Sequence, residues 1–202
     1  QAAVRFLAEN RRGGQTGHHA DHIANPYVID IDTRRVEAFT KNAYIFDHEN
    51  DGNVALIASF SFHDQNSDYG LKRYDIGQNE TYLSLMFERK WNAVHSLSTG
   101  FSFNHDAHNQ HYRLVNDDEL PLTKHDTRET VGGVYAQYTL SLENKLIAMA
   151  GARYDYNSLY GSLFTPRVHI RAFAGNVNIH ASAGRGFHSP HALAEYSYLL
   201  AS

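Results

Sequence analysis

The chain contains no cysteine. Disulfides, thiolate metal sites and a cysteine nucleophile are therefore excluded. Proline is scarce, with four in 202 residues, so most of the backbone is free to donate ladder hydrogen bonds. No apolar run approaches the ~18 residues of a membrane helix. The longest apolar-dominated stretch, 54–62, is already interrupted by Ser59 and Ser61. Basic residues form no stripe and the net charge is −4, which argues against nucleic acid as a partner. No signal-like segment opens the sequence, so a secreted parent is expected to have lost it. No helix stands out either. Residues 188–200 could form a turn or two, but Pro190 and weak periodicity favour loop.

Mean hydropathy is −0.50, which on average alone would suggest a soluble protein. A membrane β-barrel escapes that test, because only alternate residues meet lipid. Nine strands are expected, at 3–9, 34–46, 53–64, 79–89, 94–106, 128–142, 145–156, 164–173 and 177–183. Several exceed the usual strand length of about 5–6 residues and suit a tilted membrane crossing of about 9–11.

Side chains alternate with period two along a strand. In 94–106 one face carries Leu97, Thr99, Phe101 and Phe103, and the other Ser96, Ser98, Gly100, Ser102 and Asn104. In 128–142 Val134, Ala136, Tyr138, Leu140 and Leu142 oppose Tyr135, Gln137, Thr139 and Ser141. In 164–173 Val168, Ile170 and Ala172 oppose Arg167, His169 and Arg171. One face is thus apolar from strand to strand, while the other is small, polar or charged. A small soluble barrel needs the reverse, since bulky side chains must fill its interior. The apolar face must meet either lipid or a second sheet.

The connectors alternate in length. Short ones fall at 48–52, 90–93, 143–144 and 174–176, and long ones at 11–33, 65–78, 107–127 and 157–163. An up-and-down barrel with tight turns at one end and long loops at the other predicts that sorting. Tyr44, Phe46, Trp91, Tyr154 and Tyr156 fall near strand ends, where aromatic girdles sit in membrane barrels. Tyrosine is also simply common in strands.

Two histidine clusters are candidate metal sites: His18, His19 and His22, and His105, His108 and His111. Neutral imidazoles are good ligands for zinc, copper, nickel or iron. The competing reading is that these are polar loop residues. Their three-residue spacing also splits His105 from His108 if the strand continues. Asp117-Asp118-Glu119 offers carboxylates to a hard cation, or is a solvated loop run. Arg153, Asp155, Arg167 and Arg171 share the polar face, either as an ion-pair network or as the lining of a polar path. Gly184-x-Gly186 lacks the following helix that a phosphate loop requires. No nucleophile motif or zinc-hydrolase pattern is present, so the chain is not read as an enzyme and no resident cofactor is expected.

The C-terminal part reads Phe164-Thr-Pro-Arg167, a short hairpin, then Ile179-His-Ala-Ser-Ala-Gly184-Arg-Gly186-Phe187-His-Ser-Pro190-His-Ala-Leu-Ala-Glu195. This resembles the barrel of TonB-dependent outer-membrane receptors, and of the Bacteroidetes type in particular. Those barrels carry a Pro-Arg strand, a hairpin, a strand ending in Ala-Ser-x-Gly-x-Gly-Phe-Arg-x-Pro, and a later Leu-x-Glu. Val134-Tyr135-Ala-Gln137-Tyr and Gly151-Ala-Arg153-Tyr-Asp155 are similar too. The family's arginine after Gly-Phe is His188 here. In haem-importing members a Phe-Arg-Ala-Pro motif precedes a ligand histidine, which makes Arg185, His188 and His191 candidate ligand contacts.

The resemblance implies an all-β antiparallel up-and-down meander of about nine strands, within a larger transmembrane barrel of about 22. Residues 1–202 would then be an internal barrel segment without plug domain or C-terminal strand. It implies a place in the outer membrane and contact with its lipid. It also implies energy coupling to TonB through a plug domain, and a small-molecule or chelate ligand. That solute could be a siderophore, haem, a cobalamin-like chelate or an oligosaccharide, so metal or haem would enter as cargo. Two alternatives remain open: a self-contained soluble sheet or sandwich serving binding or structure, and a histidine-rich metal-binding module.

Overall fold

The computed structural model describes residues 1–14, 27–114, 123–142, 145–175 and 177–187. Nine strands form one antiparallel sheet in strict sequence order. They are β1 (Ala2–Gly14), β2 (Val28–Asp47), β3 (Gly52–Tyr69), β4 (Lys72–Lys90), β5 (His95–Leu114), β6 (Thr123–Leu142), β7 (Leu146–Asn157), β8 (Gly161–Ala174) and β9 (Val177–Gly184). Each strand expected from the sequence is present. Every neighbouring pair is a hairpin neighbour, so no connection crosses the sheet.

The register sorts the side chains into two coherent faces. Val4, Ala38 and Phe60 align across β1–β3, as do Leu56, Leu85, Phe101 and Val134 across β3–β6. Val134 in turn faces Tyr154, and Tyr154 faces Phe164. All of these project outward. The opposite row from Ser84 runs Ser102, Gly133 and Asp155. The single register shift lies between Ile45 and Asp47, where β2 turns into β3.

No large apolar side chain is buried among the described residues. Phe6 is 75% exposed and Val134 53%. The buried side chains are polar: Ser67, Ser84, Ser102, Asp155 and Asn157. All five lie on the inward face. No second protein layer covers that face among the described residues, so its burial comes from side chains of neighbouring strands crowding one another, as on the concave side of a curved sheet. The sandwich alternative fails here, because Leu97, Phe101, Val134 and Leu140 enclose no dry centre. An apolar surface of this extent needs an apolar covering, and the hydrocarbon around a membrane barrel supplies one.

The apolar band has defined limits. Along β3 the outward positions run Val54, Leu56, Ala58, Phe60, Phe62, and then Asp64, Asn66, Asp68. Along β6 they run from Leu142 to Gly132, and then Thr130, Arg128, Asp126. On β7 they span Leu146 to Tyr156. Ten residue steps at ~3.3 Å and a tilt near 40° give a band ~25 Å tall, matching a membrane barrel's apolar belt. Tyr44 and Trp91 lie exposed at its lower limit, and Tyr154 and Tyr156 at its upper limit. These positions are the two levels expected of aromatic girdles.

One expectation is corrected. The stretches 65–78 and 157–163 are not long loops. β3 and β4 stay paired up to Tyr69↔Lys72, and Gly70, with a φ of 62°, makes the tight turn. β7 and β8 stay paired up to Asn157↔Gly161. β1–β2 and β5–β6 also continue as ladder into 11–33 and 107–127, up to Gly14↔Val28 and Tyr112↔Thr123, and residues 15–26 and 115–122 lie outside the described residues. Among the described residues the two ends of the sheet differ in strand extension. β2 to β6 have 18–20 residues, about twice a membrane crossing. Their surplus projects beyond the band at the upper end, where Asn, Asp, Gln and His are tolerated because the backbone ladder, not side-chain burial, holds the strand.

The lower turns are locally fixed. Asp47 Oδ1 accepts from the backbone N–H groups of Glu49 and Asn50, at 3.2 and 3.1 Å. Asn92 Oδ1 accepts from those of Val94 and His95, both at 2.9 Å. Phe46 stacks on Phe87 with centroids 5.8 Å apart.

This orientation carries a prediction. Val134→Arg places a charge in mid-band and should destabilise the folded protein by about 2–4 kcal/mol. Ser98→Arg, on the opposite face, should cost far less. Reversible unfolding of the protein in lipid vesicles measures both, and equal costs would contradict the assignment of faces.

Candidate functional site: the inward wall

The inward face is lined by a polar inlay that the strand register assembles. Arg153 and Asp155 are two apart on β7 and so share this face. Arg153 Nε donates to Asp155 Oδ2 and Oδ1 at 2.7 and 2.9 Å. Its Nη2 donates to Asp155 Oδ1 and to Ser102 Oγ on β5, both at 2.6 Å. Such charge-assisted, forked bonds are strong and directional. They cross β6 at Gly133, where a Cβ would land on Asp155 Oδ1. Gly100 serves Tyr135 in the same way: a Cβ there would lie 2.7 Å from the Tyr135 ring. Small residues on this face are therefore beds for long neighbours.

Higher on the wall, Glu37, Glu80, Asp106 and Glu129 fall at one level across β2, β4, β5 and β6, with Ser61 between the first two. Arg35 holds Glu37 at 2.8 Å, and Arg5 lies 3.6 Å away. His108 Nε2 is 2.9 Å from Asp106 Oδ2, and Gln78 Nε2 donates to the same carboxylate at 3.3 Å. Asn157 Nδ2 donates to Glu129 Oε1 at 2.5 Å. At the lower end a cleft of about 490 Å³ is lined by His48, Asp51, Asn53, Glu88, Ser98 and Gln137, among others. Ser98 Oγ donates to Glu88 Oε1 at 3.4 Å. From β8, Arg167 Nη2 donates to Gln137 Oε1 at 2.6 Å.

Of the candidate metal ligands, His105, His108 and His111 are not brought together. β5 continues through His105, His108 and His111. His105 and His111 point outward, with His105 Nδ1 2.8 Å from Thr130 Oγ1 and His111 opposite Lys124. His108 points inward. No group of three or more potential ligand side chains is placed to hold a metal among the described residues. His18, His19, His22, Asp117, Asp118, Glu119, His188 and His191 lie outside the described residues. Arg185 lies just past β9, exposed, its backbone N–H donating to Pro166 O at 3.1 Å. The carboxylate row and the Ser102 partner of Arg153 escaped the sequence reading. Each strand shows its own alternation, but which residues share a level depends on the turn lengths.

Residues 5–200 match the model of a family described as "TonB dependent receptor-like, beta-barrel". The chain belongs to the TonB-dependent receptor β-barrels. A search of curated proteins found no match. Among solved structures, the alcaligin outer-membrane receptor FauA from Bordetella pertussis is similar over 90% of this chain and 31% of its own. Its identity is 14% and its TM-score 0.69. The ferric citrate transporter FecA in its unliganded form is similar over 91% of this chain and 33% of its own, with 11% identity and a TM-score of 0.52. At these identities the likeness shows the fold. The chain spans about a third of the length of both proteins. The outward apolar band and inward polar inlay are thus those of TonB-dependent receptor wall.

Gly133→Ala tests the inlay. It should break the Arg153–Asp155–Ser102 network and destabilise the barrel by about 1–3 kcal/mol. Gly132→Ala, where a Cβ meets nothing, should be close to neutral. Thermal unfolding of the full-length receptor in detergent reads both.

Proposed function

We propose that this chain is wall and outer rim of an outer-membrane receptor that imports a scarce solute by active transport. The observation that supports it is the opposition of faces: a ~25 Å apolar belt outside and a hydrogen-bonded polar lining inside, in a chain of this family. In the complete receptor the nine strands form part of a larger barrel around a plugged lumen. The solute binds at the upper rim and passes along the inward wall when the energy-coupling protein TonB acts on the plug. The wall makes no bonds and breaks none. Its work is to exclude lipid, to wet the passage and to position the plug. FauA is named for alcaligin and FecA for ferric citrate, which makes an iron chelate a natural first candidate. Haem, a cobalamin-like chelate and an oligosaccharide stand beside it. His188 and His191 are our candidate ligand contacts, on the motif they occupy, with Arg185 beside them.

The full-length protein should fractionate with the outer membrane. Its host should lose high-affinity uptake of one of these solutes when either the receptor or TonB is deleted. A panel of radiolabelled ferric chelates, haem, cobalamin and oligosaccharides identifies which. Uptake that survives loss of TonB would refute active import.

A further inference from the structure

Charge on the inward wall is divided by direction. The carboxylates of β2 to β6 run around the wall at one level, and several carry bonded partners. The cations of β8 run along it. Arg167, His169 and Arg171 occupy alternate positions on one face, ~6.6 Å apart, from mid-wall toward the lower end. His180 of β9 faces Arg171 across the register.

None of these four has a carboxylate partner among the described residues. The nearby acid, Asp155, is already held by Arg153 in a forked pair. Arg167 donates to a neutral amide, Gln137. Arg171 lies over the Phe173 ring, 4.6 Å from its centroid, and its buried Nε has no acceptor. A buried donor without an acceptor is costly, and a guanidinium over an aromatic ring still has its planar fork of donors to offer. Forked guanidinium groups match the oxygens of carboxylate and phosphate, and rings of arginine and lysine select anions in pores.

We infer that Arg167, His169 and Arg171, with His180, form a station for an oxyanion group of the transported solute, a carboxylate or a phosphate. This rests on the receptor reading above and deepens it. The ladder runs along the direction of passage, so an anionic group leaving Arg167 meets His169 and then Arg171 before the lower opening.

The test uses the purified full-length receptor in detergent at low ionic strength. It is titrated calorimetrically with inorganic phosphate in one arm and citrate in the other, which separates the two oxyanions. Saturable binding of at least one is expected. Arg167→Gln with Arg171→Gln should weaken it by about tenfold or more, and Arg167→Lys with Arg171→Lys should retain most of it. Should the glutamine pair fail to fold, Arg171→Gln alone against the lysine pair decides. No saturable binding by the unaltered receptor overturns the proposal. That is also the result expected if an acidic surface of the receptor's own plug already covers the ladder. Binding unchanged in the glutamine variants overturns it equally. The titration needs neither TonB nor a cell, so its failure leaves the uptake experiment to judge active import separately.

Discussion

Inside hydrocarbon no water is available to satisfy a backbone N–H or C=O, so each strand must pair with its neighbours along the whole crossing. That constraint organises this chain. Eight consecutive antiparallel pairings hold register, broken at one point between Ile45 and Asp47. A slip of one residue anywhere would exchange the two faces of a strand. It would place Arg153 or Arg171 in lipid and Phe101 or Ile170 in the lumen. The ladder supplies cohesion and, through register, the sorting of polarity.

A sheet held in this way has no need of an oily centre. Its apolar side chains are solvated by lipid tails, and its polar ones pack into a thin lining. The lining follows rules that a soluble core does not. Serine and glycine are common on it because they leave room beside long, bonded neighbours, as Gly133 does for Asp155 and Gly100 for Tyr135. Volume is conserved along the wall by pairing large with absent side chains, one level at a time.

Within the band the sequence was readable because lipid on one side and water on the other write a period of two into every strand. Leu97 to Phe103, and Val134 to Leu142, could be assigned without coordinates. Above the band both sides are wet and the period vanishes. Asp64-Gln-Asn-Ser-Asp68 reads as loop, yet it is ladder, because the pairing there is a backbone matter continued from below. Sites were less legible than strands for a related reason. The Arg153–Asp155 pair shows in sequence, being two apart on one strand. Ser102 is 51 residues from Arg153, and its place beside it follows from the summed geometry of the intervening turns. The histidines at 105, 108 and 111 looked like a cluster by spacing, and strand alternation divides them.

The unequal strand lengths have a consequence for how the receptor is approached. β6 meets the top of β7 at Val131↔Asn157 and continues upward to Thr123, whereas β7 and β8 end in a turn at that height. Eight further residues at ~3.3 Å are ~26 Å of paired strand, measured along its length. Among the described residues the upper edge of the wall is therefore stepped, with a parapet from β1 to β6 and a sill at β7 and β8. Anything that approaches this wall at that height is met by paired strand on the β6 side and, among the described residues, by none above the β7–β8 turn.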